Sequence, residues 1–405
     1  MRVMLVTHSY WPESTPPQRR WTAFISVFRE RGWDVDVVAP QPMDGEAPPG
    51  SRVKGFRQGF AAEAGPSGEI IRRIPAVLKV QSRSGRLVRH CVVAMLSIPR
   101  SFFAPRPDVV VVTIPSLPHV VAGWAIARLR RAPLVVEMRD AWPDLAHDSQ
   151  VAAGLTTALL DSVMTRVQRS ANMVVTVTDG FRLQLEGRGV RSAVTVHNGI
   201  GADRLPSVPV RRDHEGRLRV LYMGNHGESQ GLEVIVRAAA LASSMVDVRF
   251  VGSGTVKPRL EQLAGQVGAN IDFWTVVHGE SIARHYEWAD TCVVSLRADW
   301  PSFTWTVPSK TFELLSTGRH ITAAVRGEAA KIVEAAGGGD VVEPDPAAIA
   351  SLWADLAKNT DRLSMNRRGR KWVVEHADMR QLATTYMEYL SDSSTPSARS
   401  RQSTR

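Results

Sequence analysis

Short runs of β-branched residues alternate along this chain with amphipathic stretches of helical length, and the alternation starts afresh near the middle of the sequence. Runs such as Asp108 to Thr113 and Thr291 to Ser295 are typical of strands buried on both faces of a parallel sheet. Helices between such strands cover the two faces, which is the arrangement of a doubly wound α/β domain. The sequence therefore predicts two α/β domains of similar construction.

The predicted elements follow one another closely in both halves. In the first half, strands are predicted at Arg2 to Thr7, Asp34 to Ala39, Asp108 to Thr113, Leu134 to Glu137, Met173 to Val177 and Val194 to His197, with helices at Gln18 to Arg31, His119 to Arg131 and Val151 to Ser170. In the second half, strands are predicted at Leu218 to Met223, Asp247 to Val251, Ile271 to Thr275, Thr291 to Ser295 and His320 to Ala324, with helices at Leu232 to Ala242, Lys257 to Val267, Pro308 to Thr317 and Glu328 to Ala336. Three further helical segments follow Pro346, the last over Met379 to Leu390.

The domain boundary is expected between Asn198 and Gly216, where glycines, prolines and charged residues interrupt the pattern. At 405 residues the chain is too long for one ordinary hydrophobic core, which also favours two domains. The expected division is an N-terminal domain over 1–200, a C-terminal domain over 201–375, a helix over 376–391 that packs back on the first domain, and a disordered tail over 392–405.

The formal net charge of +10 is unevenly distributed along the chain, and the position of the basic residues indicates which anionic partners are expected. Basic residues gather between Ile70 and Phe103 among many apolar ones, a mixture typical of an element at an anionic membrane surface. A core helix with a solvated basic face is the alternative. No nucleic-acid-binding motif accompanies the charge, which argues against nucleic acid as a partner.

The cysteines and the apolar segments indicate the cellular compartment in which the protein is expected. Cys91 and Cys292 are the only cysteines and lack metal-ligand spacing, so neither a disulfide framework nor a structural metal is expected. The N-terminus lacks the long apolar core of a signal peptide, and no run of about 18 apolar residues occurs. We therefore expect a cytoplasmic protein, with peripheral contact to the inner face of the membrane left open.

Loops that follow strand ends are the expected ligand sites, because ligands of open parallel sheets bind beyond the carboxyl ends of the strands. In the second half, three such loops contain glycines, namely Gly224 to Gly231, Gly252 to Gly254 and Val277 to Gly279. Glycine lets the backbone approach a phosphate, although it also marks ordinary tight turns. Taken together, the loops predict a cradle for the phosphates of a nucleotide.

The segment Pro308 to Gly318 adds a more specific signal. Proline is favoured in a first helical turn, Ser309 can satisfy free backbone donors there, and Gly318 suits a left-handed helix end. The N-terminus of such a helix favours an anion such as a phosphate. Glu313, about one and a half turns further on, can then bind the two hydroxyls of a ribose. The alternative is an ordinary amphipathic helix with Glu313 at the edge of its apolar face.

Together these motifs resemble the retaining glycosyltransferases of the GT-B fold, over residues 3 to about 376. The motifs that carry the resemblance are the segment from Pro308, Gly224-x-x-Gly227, Gln230-Gly231-Leu232, Phe250 to Gly254, Asn198-Gly199, Tyr10 to Glu13 and Arg139 to Pro143. More narrowly, the chain is similar to the GT4-like branch that includes the L-fucosamine transferase type of polysaccharide assembly. The resemblance implies two Rossmann-like domains facing across a cleft, with the sugar nucleotide on the second domain and the acceptor on the first.

The resemblance also implies the donor site. Glu313 matches the glutamate that binds the ribose, and the backbone at Gly224 to Gly227 and at Pro308 to Lys310 matches the positions that meet the diphosphate. The full predicted set for the sugar nucleotide is Gly224, Asn225, Gly227, Gln230, Gly252, Gly254, His278, Arg297, Pro308, Ser309, Lys310 and Glu313. His278 is expected to contribute backbone to the base pocket.

Three departures from the family pattern bear on the donor site. Trp305 stands where many relatives have a second glutamate, so contacts to the donor sugar must differ. Asn225 and Gln230 stand near the usual basic pair for the diphosphate, and Lys310 or Arg297 is expected to compensate. Ser14 to Pro17 replace a glycine pair in the first loop, where prolines remove backbone donors.

A retaining reaction of this type needs charge stabilisation of the departing diphosphate and orientation of both substrates. Asp140 is the first candidate for binding the acceptor or stabilising the sugar cation, with Arg139 and His8 as further candidates. A turn cap is the structural alternative for Asp140, and Glu137 is expected to be a buried structural carboxylate. No metal is expected in this site.

The predicted function is transfer of a hexose-like sugar from a nucleotide-diphosphate sugar to a hydroxyl acceptor that is lipid-linked or a polysaccharide or glycoconjugate precursor. If the basic stretch contacts lipid, the expected acceptor is a polyprenyl-diphosphate-linked sugar. A sugar-nucleotide epimerase of the same fold, a phosphorylase and a non-catalytic membrane-associated scaffold are the alternatives.

Overall fold

The structure, a computed structural model, describes residues 1–13, 15–42, 62–75, 83–114, 116–141, 144–148, 155–201, 208, 216–365 and 367–394. Several predicted features lie outside the described residues. They are Ser14, Lys79, Trp142, Pro143, residues 151–154 of a predicted helix, most of the segment between the domains and the tail from residue 395. The chain divides into two compact units, one formed by Met1–Asn198 together with the chain from Met379, the other by Gly199–Asp378.

The first unit contains a mainly parallel sheet. Its strands are β1 (Arg2–Val6), β2 (Asp34–Pro40), β3 (Ala62–Ala64), β4 (Ile70–Ile74), β5 (Val109–Thr113), β6 (Leu134–Met138), β7 (Met173–Thr176) and β8 (Ala193–Thr195). Among the described residues their order is β3-β4-β2-β1-β5-β6-β7-β8, and the β3–β4 pair is antiparallel. Val3 lies between Val35 and Val109 in register, and all three are fully or almost fully buried. Such double-sided burial explains the continuous valine runs.

Helices follow the strands of the first unit. They are α1 (Pro16–Glu30), α2 (Arg83–Ser101), α3 (Leu117–Arg130), α4 (Asp144–Asp148), α5 (Leu155–Ser170) and α6 (Asp179–Gly187). α1 begins where the Thr15 hydroxyl accepts a hydrogen bond from the Gln18 amide, with prolines at its first positions. Trp21, Phe24 and Phe28 of α1 point into the main apolar core of this unit.

The second unit contains a six-stranded parallel sheet among its described residues. Its strands are β9 (Leu218–Met223), β10 (Val246–Val251), β11 (Ile271–Trp274), β12 (Thr291–Ser295), β13 (His320–Ala324) and β14 (Gly339–Val342), in the order β11-β10-β9-β12-β13-β14. Its helices are α7 (Glu233–Leu241), α8 (Lys257–Val267), α9 (Glu280–Trp288), α10 (Ser309–Thr317), α11 (Gly327–Ala336), α12 (Pro346–Lys358) and α13 (Arg368–His376). Short 3₁₀ turns lie at Glu228–Gln230, Pro301–Trp305 and Thr360–Leu363.

The last helix, α14 (Met379–Ser394), belongs to the first unit and packs against α1. Tyr386 of α14 contacts the rings of Trp21 and Phe24 at centroid distances of 5.5 and 5.4 Å. The helix starts at Met379, as predicted for the last helical segment. Residues 376–378, which the predicted domain division joined to it, are separate, because α13 ends at His376 and Asp378 forms an isolated bridge with Ile200. α14 continues to Ser394, so the tail expected from 392 is helical over its first three residues.

Residues 70–103 do not form the single basic element that the sequence suggested. Ile70–Ile74 is strand β4, where Arg72 forms an ion pair with Asp36 at 2.7 Å and Arg73 with Glu63 at 2.6 Å. These two arginines therefore link β4 to its neighbouring strands β2 and β3. Among the described residues of this stretch, α2 and the residues after it keep the exposed basic and apolar character.

The order of the strands fixes where a ligand can bind in each unit. In the first unit the direction of strand addition changes between β1 and β5, and in the second between β9 and β12. Loops at such switch points diverge and leave room beyond the carboxyl ends of the strands. The candidate ligand sites are therefore the loops after β1 and β5 in the first unit and those after β9 and β12 in the second.

Candidate functional site

Two glycine loops of the second unit interlock beyond the ends of β9 and β10. A Cβ atom added to Gly252 would lie 2.0 Å from the Gly224 carbonyl oxygen, and one on Gly254 would lie 2.2 Å from the His226 carbonyl oxygen. Glycine is thus required at 252 and 254 by the neighbouring backbone. The loop after β9 lies at the switch point, and the loop after β10 packs against its backbone.

The loop after β9 is stabilised from within. The Gly227 amide donates to Gln230 Oε1 at 3.1 Å, and the Tyr222 hydroxyl donates to the Asn225 carbonyl at 2.7 Å. His226, a residue of this loop that was not predicted to belong to the site, is completely buried. Burial, followed by the charge of Lys257, lowers the pKa of His226 to about 4, so this imidazole is neutral at physiological pH.

Helix α10 begins at the same switch point, after the loop that follows β12. Pro308 is its N-cap residue, and no side-chain hydrogen bond caps this end within the described part of the chain. The expected cap by Ser309 is therefore not formed, because Ser309 is itself the first helical residue. The helix ends as predicted with Gly318 in the left-handed conformation, at φ 76°.

Glu313 is placed by a buried tyrosine from α9. The Tyr286 hydroxyl donates to Glu313 Oε1 at 2.6 Å, and Lys310 Nζ lies 3.0 Å from both carboxylate oxygens. Burial and the Glu313 carboxylate raise the pKa of Tyr286 well above its usual value, so the phenol remains a donor. Tyr286 has no motif signal in the sequence, and only the fold brings α9 beside α10.

Two other predicted members of this site are arranged differently. Arg297 is bound by Asp299 through contacts of 2.9 and 2.6 Å, and its guanidinium lies 5.1 Å from the centre of the Trp300 ring. His278 is exposed in the loop after β11. Of the two cations proposed to replace the usual basic pair, Lys310 is the one that lies on α10 beside Glu313.

In the first unit, the loop after β1 and the helices α2 and α3 bring three histidines together. The rings of His8, His90 and His119 lie 6.1 to 6.3 Å apart, and Ser116 Oγ is 2.7 Å from His119 Nδ1. Burial is the main cause that lowers the pKa of His8 to about 4 and of His119 to about 3, with smaller effects from the neighbouring histidines and, for His8, from Arg139 and Arg89. No group of described His, Cys, Asp and Glu side chains has the arrangement of a metal site. His8 was predicted, whereas His90 and His119 were missed because they come from separate helices.

Arg139 and Asp140 follow β6 directly. Two guanidinium nitrogens of Arg139, Nε and Nη1, are buried and have no hydrogen-bond partner among the described residues. Asp140 retains solvent access, yet the surrounding protein desolvates its carboxylate and raises its pKa, against the opposing effect of Arg139. An accessible carboxylate beside a cation with free donors is suited to binding a polar ligand.

A buried ion pair supports this strand end. Glu137 Oε1 accepts from Arg20 Nε at 3.0 Å and Glu137 Oε2 accepts from Trp21 Nε1 at 2.7 Å. Arg20 also donates to the carbonyls of His197 and Val196. Glu137 is therefore the structural carboxylate that the sequence suggested, and it binds α1 to the sheet below Arg139.

The loop from Tyr10 to Glu13 is likewise structural in its side chains. Tyr10 is fully buried and donates to Glu69 Oε1 at 2.6 Å, and Glu13 accepts from Ser9 Oγ. Arg73 of β4 donates to the Trp11 carbonyl. The hairpin of β3 and β4 thus fixes the path of the loop that carries His8.

Helices α2 and α3 pack together and present a basic, apolar surface. Met95 and Phe103 are each 70% exposed, Phe102 is 52% exposed, and the guanidinium of Arg130 lies 5.1 Å from the centre of the Phe102 ring. In the sequence, residues 83–136 contain eight arginines and one acidic residue, Asp108. We name the exposed part of α2 and α3, with Phe102 and Phe103, the arginine-rich face. No helix within the described residues is long and apolar enough to cross a bilayer.

Comparison with known families assigns both units. Residues 17–199 match the glycosyl transferase 4-like domain, and residues 217–359 match the glycosyl transferases group 1 model. The chain is 22% identical over 373 residues to the Escherichia coli K12 protein WcaI, whose name assigns it to colanic acid biosynthesis as a glycosyl transferase; the match covers 85% of this chain and 89% of WcaI.

Solved structures share the whole fold at low identity. The sucrose-phosphate synthase of Thermosynechococcus elongatus superposes with a TM-score of 0.74 at 15% identity, covering 96% of this chain and 98% of the other. Anabaena HepE, solved with UDP-glucose, superposes with a TM-score of 0.68 at 15% identity, covering 97% of this chain and all of HepE. The two parallel α/β units are those of the GT-B fold.

Proposed function

The chain is a glycosyltransferase that joins a glycosyl transferase 4-like domain to a glycosyl transferases group 1 domain, and we propose that it moves a sugar from a nucleotide-diphosphate sugar to a hydroxyl acceptor with retention of the anomeric configuration. The observation that carries this proposal is the start of α10. There an uncapped helix N-terminus and Glu313 lie at the switch point of the second sheet. One feature suits a diphosphate and the other suits the two hydroxyls of a ribose.

The proposed donor site uses backbone and charge rather than a basic pair. The loop from Gly224 to Gly227 and the first turn of α10 lie beyond neighbouring strands, so amides from both can face one diphosphate. Lys310 adds a positive charge beside them. Gln230 is occupied with the Gly227 amide, which leaves it a role in shaping the loop. HepE, a structural neighbour, was solved with UDP-glucose, which supports a sugar nucleotide as the donor class.

A thermal shift screen tests the donor class. UDP-, GDP- and dTDP-sugars are compared, since a ligand that binds only the native state raises the melting temperature. A rise of several degrees with one nucleotide at a concentration of about 100 Kd is expected, because that concentration stabilises the native state by about 2.7 kcal/mol. A protein that binds none of the three bases would refute the proposed donor class.

In the proposed reaction Asp140 binds the acceptor or stabilises positive charge on the sugar, while Arg139 and His8 orient the groups around it. Because His8 is neutral, it can accept or donate one hydrogen bond without adding charge. The helix N-terminus and Lys310 stabilise the leaving diphosphate, so the proposal requires no metal cofactor. Product analysis by NMR, with and without EDTA, tests both points: the same anomer as the donor and unchanged turnover are expected.

We further propose that the acceptor is lipid-linked, with chemistry like that of the L-fucosamine transferase type, and that the protein works at the inner face of the cytoplasmic membrane. The arginine-rich face supports this, since exposed Met95, Phe102 and Phe103 belong to a segment, residues 83–136, with eight arginines and one acidic residue. Apolar insertion combined with attraction to anionic headgroups is the usual basis of interfacial binding. WcaI, a relative of this chain, is named for colanic acid biosynthesis.

Cosedimentation with vesicles tests the membrane contact. Vesicles containing phosphatidylglycerol are expected to bind the protein, and phosphatidylcholine vesicles are not. Phe103→Ser should reduce binding by about tenfold, because an exposed phenylalanine that inserts contributes over 1 kcal/mol. Leu183→Ser, which removes a leucine of α6 that is 56% exposed, is the control outside the arginine-rich face. Equal loss in both variants would contradict the assignment.

A further inference from the structure

The carboxylate of Glu313 already accepts three hydrogen bonds from the protein, two on Oε1 and one on Oε2. Oε1 accepts from the Tyr286 hydroxyl at 2.6 Å and from Lys310 Nζ at 3.0 Å, and Oε2 accepts from Lys310 Nζ at 3.0 Å. Lys310 Nζ also lies 3.4 Å from the Tyr286 hydroxyl oxygen. Three polar groups thus form one closed cluster at the place where the proposed nucleotide would put its ribose.

The number of acceptor positions shows that this cluster must open. Each carboxylate oxygen has two lone-pair positions, so Oε1 is saturated by its two donors. A ribose brings two neighbouring hydroxyls, which need a position on each oxygen if Glu313 binds both. One of the present donors must therefore leave Oε1 when the ribose binds.

Lys310 is the donor that can leave. The Tyr286 side chain is fully buried, and its backbone carbonyl accepts from Arg319 Nε at 2.9 Å, so the phenol cannot retreat. The Lys310 side chain is about one third exposed and pairs with Glu313 across three residues of one helix. Ion pairs of this kind are weak because water screens them and a flexible side chain must be fixed to form them.

A Lys310 side chain that leaves Glu313 would remain close to the proposed diphosphate. It is the second residue of α10, in the same uncapped first turn where the diphosphate is proposed to bind. The other cations of this region are already bound, Arg297 to Asp299 and Lys257 to the carbonyls of Gly252 and Trp274. The charge released from Glu313 is therefore suited to the phosphates.

We propose that Lys310 is a movable counter-ion that couples the two halves of donor recognition: it neutralises Glu313 in the free protein and transfers to the diphosphate when the ribose takes its place, while Tyr286 stays as the positioning residue of the carboxylate. This inference rests on the proposed nucleotide site. Its consequence is selectivity for nucleoside diphosphates over nucleosides. A nucleoside must displace Lys310 and offers it no new partner, whereas a nucleoside diphosphate supplies one.

Binding measurements on Lys310→Met test the coupling. UDP, GDP and ADP are first titrated into the wild-type protein by calorimetry, and the best binder is then compared with its nucleoside. Lys310→Met is expected to weaken the nucleoside diphosphate by roughly ten- to a hundredfold, the usual effect of losing a charge-assisted contact. The same variant should bind the nucleoside as well as, or better than, the wild type. Equal weakening of both ligands, or of neither, would overturn the inference.

Tyr286→Phe separates positioning from packing, because it removes one hydroxyl and keeps the ring. It should weaken the ribonucleoside diphosphate by about tenfold, through loss of a hydrogen bond to a charged group. The effect should disappear with the 2′,3′-dideoxy analogue, which cannot use Glu313. A purely structural role would weaken both ligands alike and would overturn the assignment.

Lys371→Met is the control, since Lys371 forms an exposed intrahelical pair with Glu375 at 3.9 Å on α13 of the same unit. It should bind both ligands as the wild type does. A wild-type protein that binds no nucleoside diphosphate would refute the proposed function and this inference with it. Normal diphosphate binding by a folded Lys310→Met variant would refute the inference alone.

Discussion

Replacing Glu137 by alanine is expected to destabilise the first unit by about 3–5 kcal/mol, the usual cost of leaving one partner of a buried ion pair alone. Glu137 is fully buried, and its two oxygens bind Arg20 at 3.0 Å and Trp21 at 2.7 Å. Removal of the carboxylate leaves the guanidinium of Arg20, 2% exposed, without a counter-ion. Arg20 would keep its bonds to two backbone carbonyls, which limits the loss.

Glu137→Gln separates the contribution of the negative charge of Glu137 to stability from that of its hydrogen bonds. The amide retains one acceptor oxygen for Arg20 or Trp21 but loses the negative charge. We expect a smaller loss of about 1.5–3 kcal/mol, the range for a hydrogen bond to a charged group. Stability is therefore predicted to be lowest for Glu137→Ala, intermediate for Glu137→Gln and highest for the wild type.

Scanning calorimetry measures the effect as a melting temperature. For a unit of this size 1 kcal/mol corresponds to roughly 2–4 °C, so Glu137→Ala should lower the transition of the first unit by about 6–20 °C. Glu186→Ala is the matched control, because Glu186 pairs with Arg182 on the exposed face of α6 and such pairs contribute less than about 1 kcal/mol. Similar shifts in Glu137→Ala and Glu186→Ala would refute the structural role of Glu137.

Two further predictions concern the first unit. Asp140→Asn should abolish sugar transfer while donor binding, measured by calorimetry, stays unchanged; loss of both would indicate misfolding or a wrong site. Acidification from pH 6.5 towards pH 4 should destabilise the protein, since the folded-state pKa values of His8 and His119 lie at about 4 and about 3, below the usual value near 6.5, and the unfolded chain therefore binds more protons in this window. His119→Asn should make urea denaturation midpoints less dependent on pH over that range, and an unchanged dependence would contradict the assigned burial effect.

Sequence periodicity was sufficient for most of the fold, because strands buried on both faces leave long valine runs. The strand over Val109–Thr113 and the helix over Lys257–Val267 agree with prediction to within one residue at each end. β4 was missed because its sequence, Ile-Ile-Arg-Arg-Ile, alternates poorly and its arginines suggested a surface element. They are buried or half-buried against acids from β2 and β3, a contact between distant residues that no local pattern encodes.

The candidate site was predictable where one segment contains the signal. The start of α10 and Glu313 are close in sequence, so a helix start and a carboxylate could be related by helical geometry alone. Tyr286, His90 and His119 were not found, since each reaches its partners only after separate helices pack. The glycines at 252 and 254 were predicted to face phosphate, yet the geometry shows that the adjoining loop backbone already requires glycine there.

The measurement that tests the central claim most directly is calorimetric binding of a ribonucleoside diphosphate and its 2′,3′-dideoxy analogue to wild type and Glu313→Ala. If the carboxylate on α10 binds the ribose, the wild type prefers the ribonucleotide by roughly ten- to a hundredfold, and the folded variant binds both ligands with the same reduced affinity. A wild type that does not distinguish the two ligands, or a variant that still does, would contradict it.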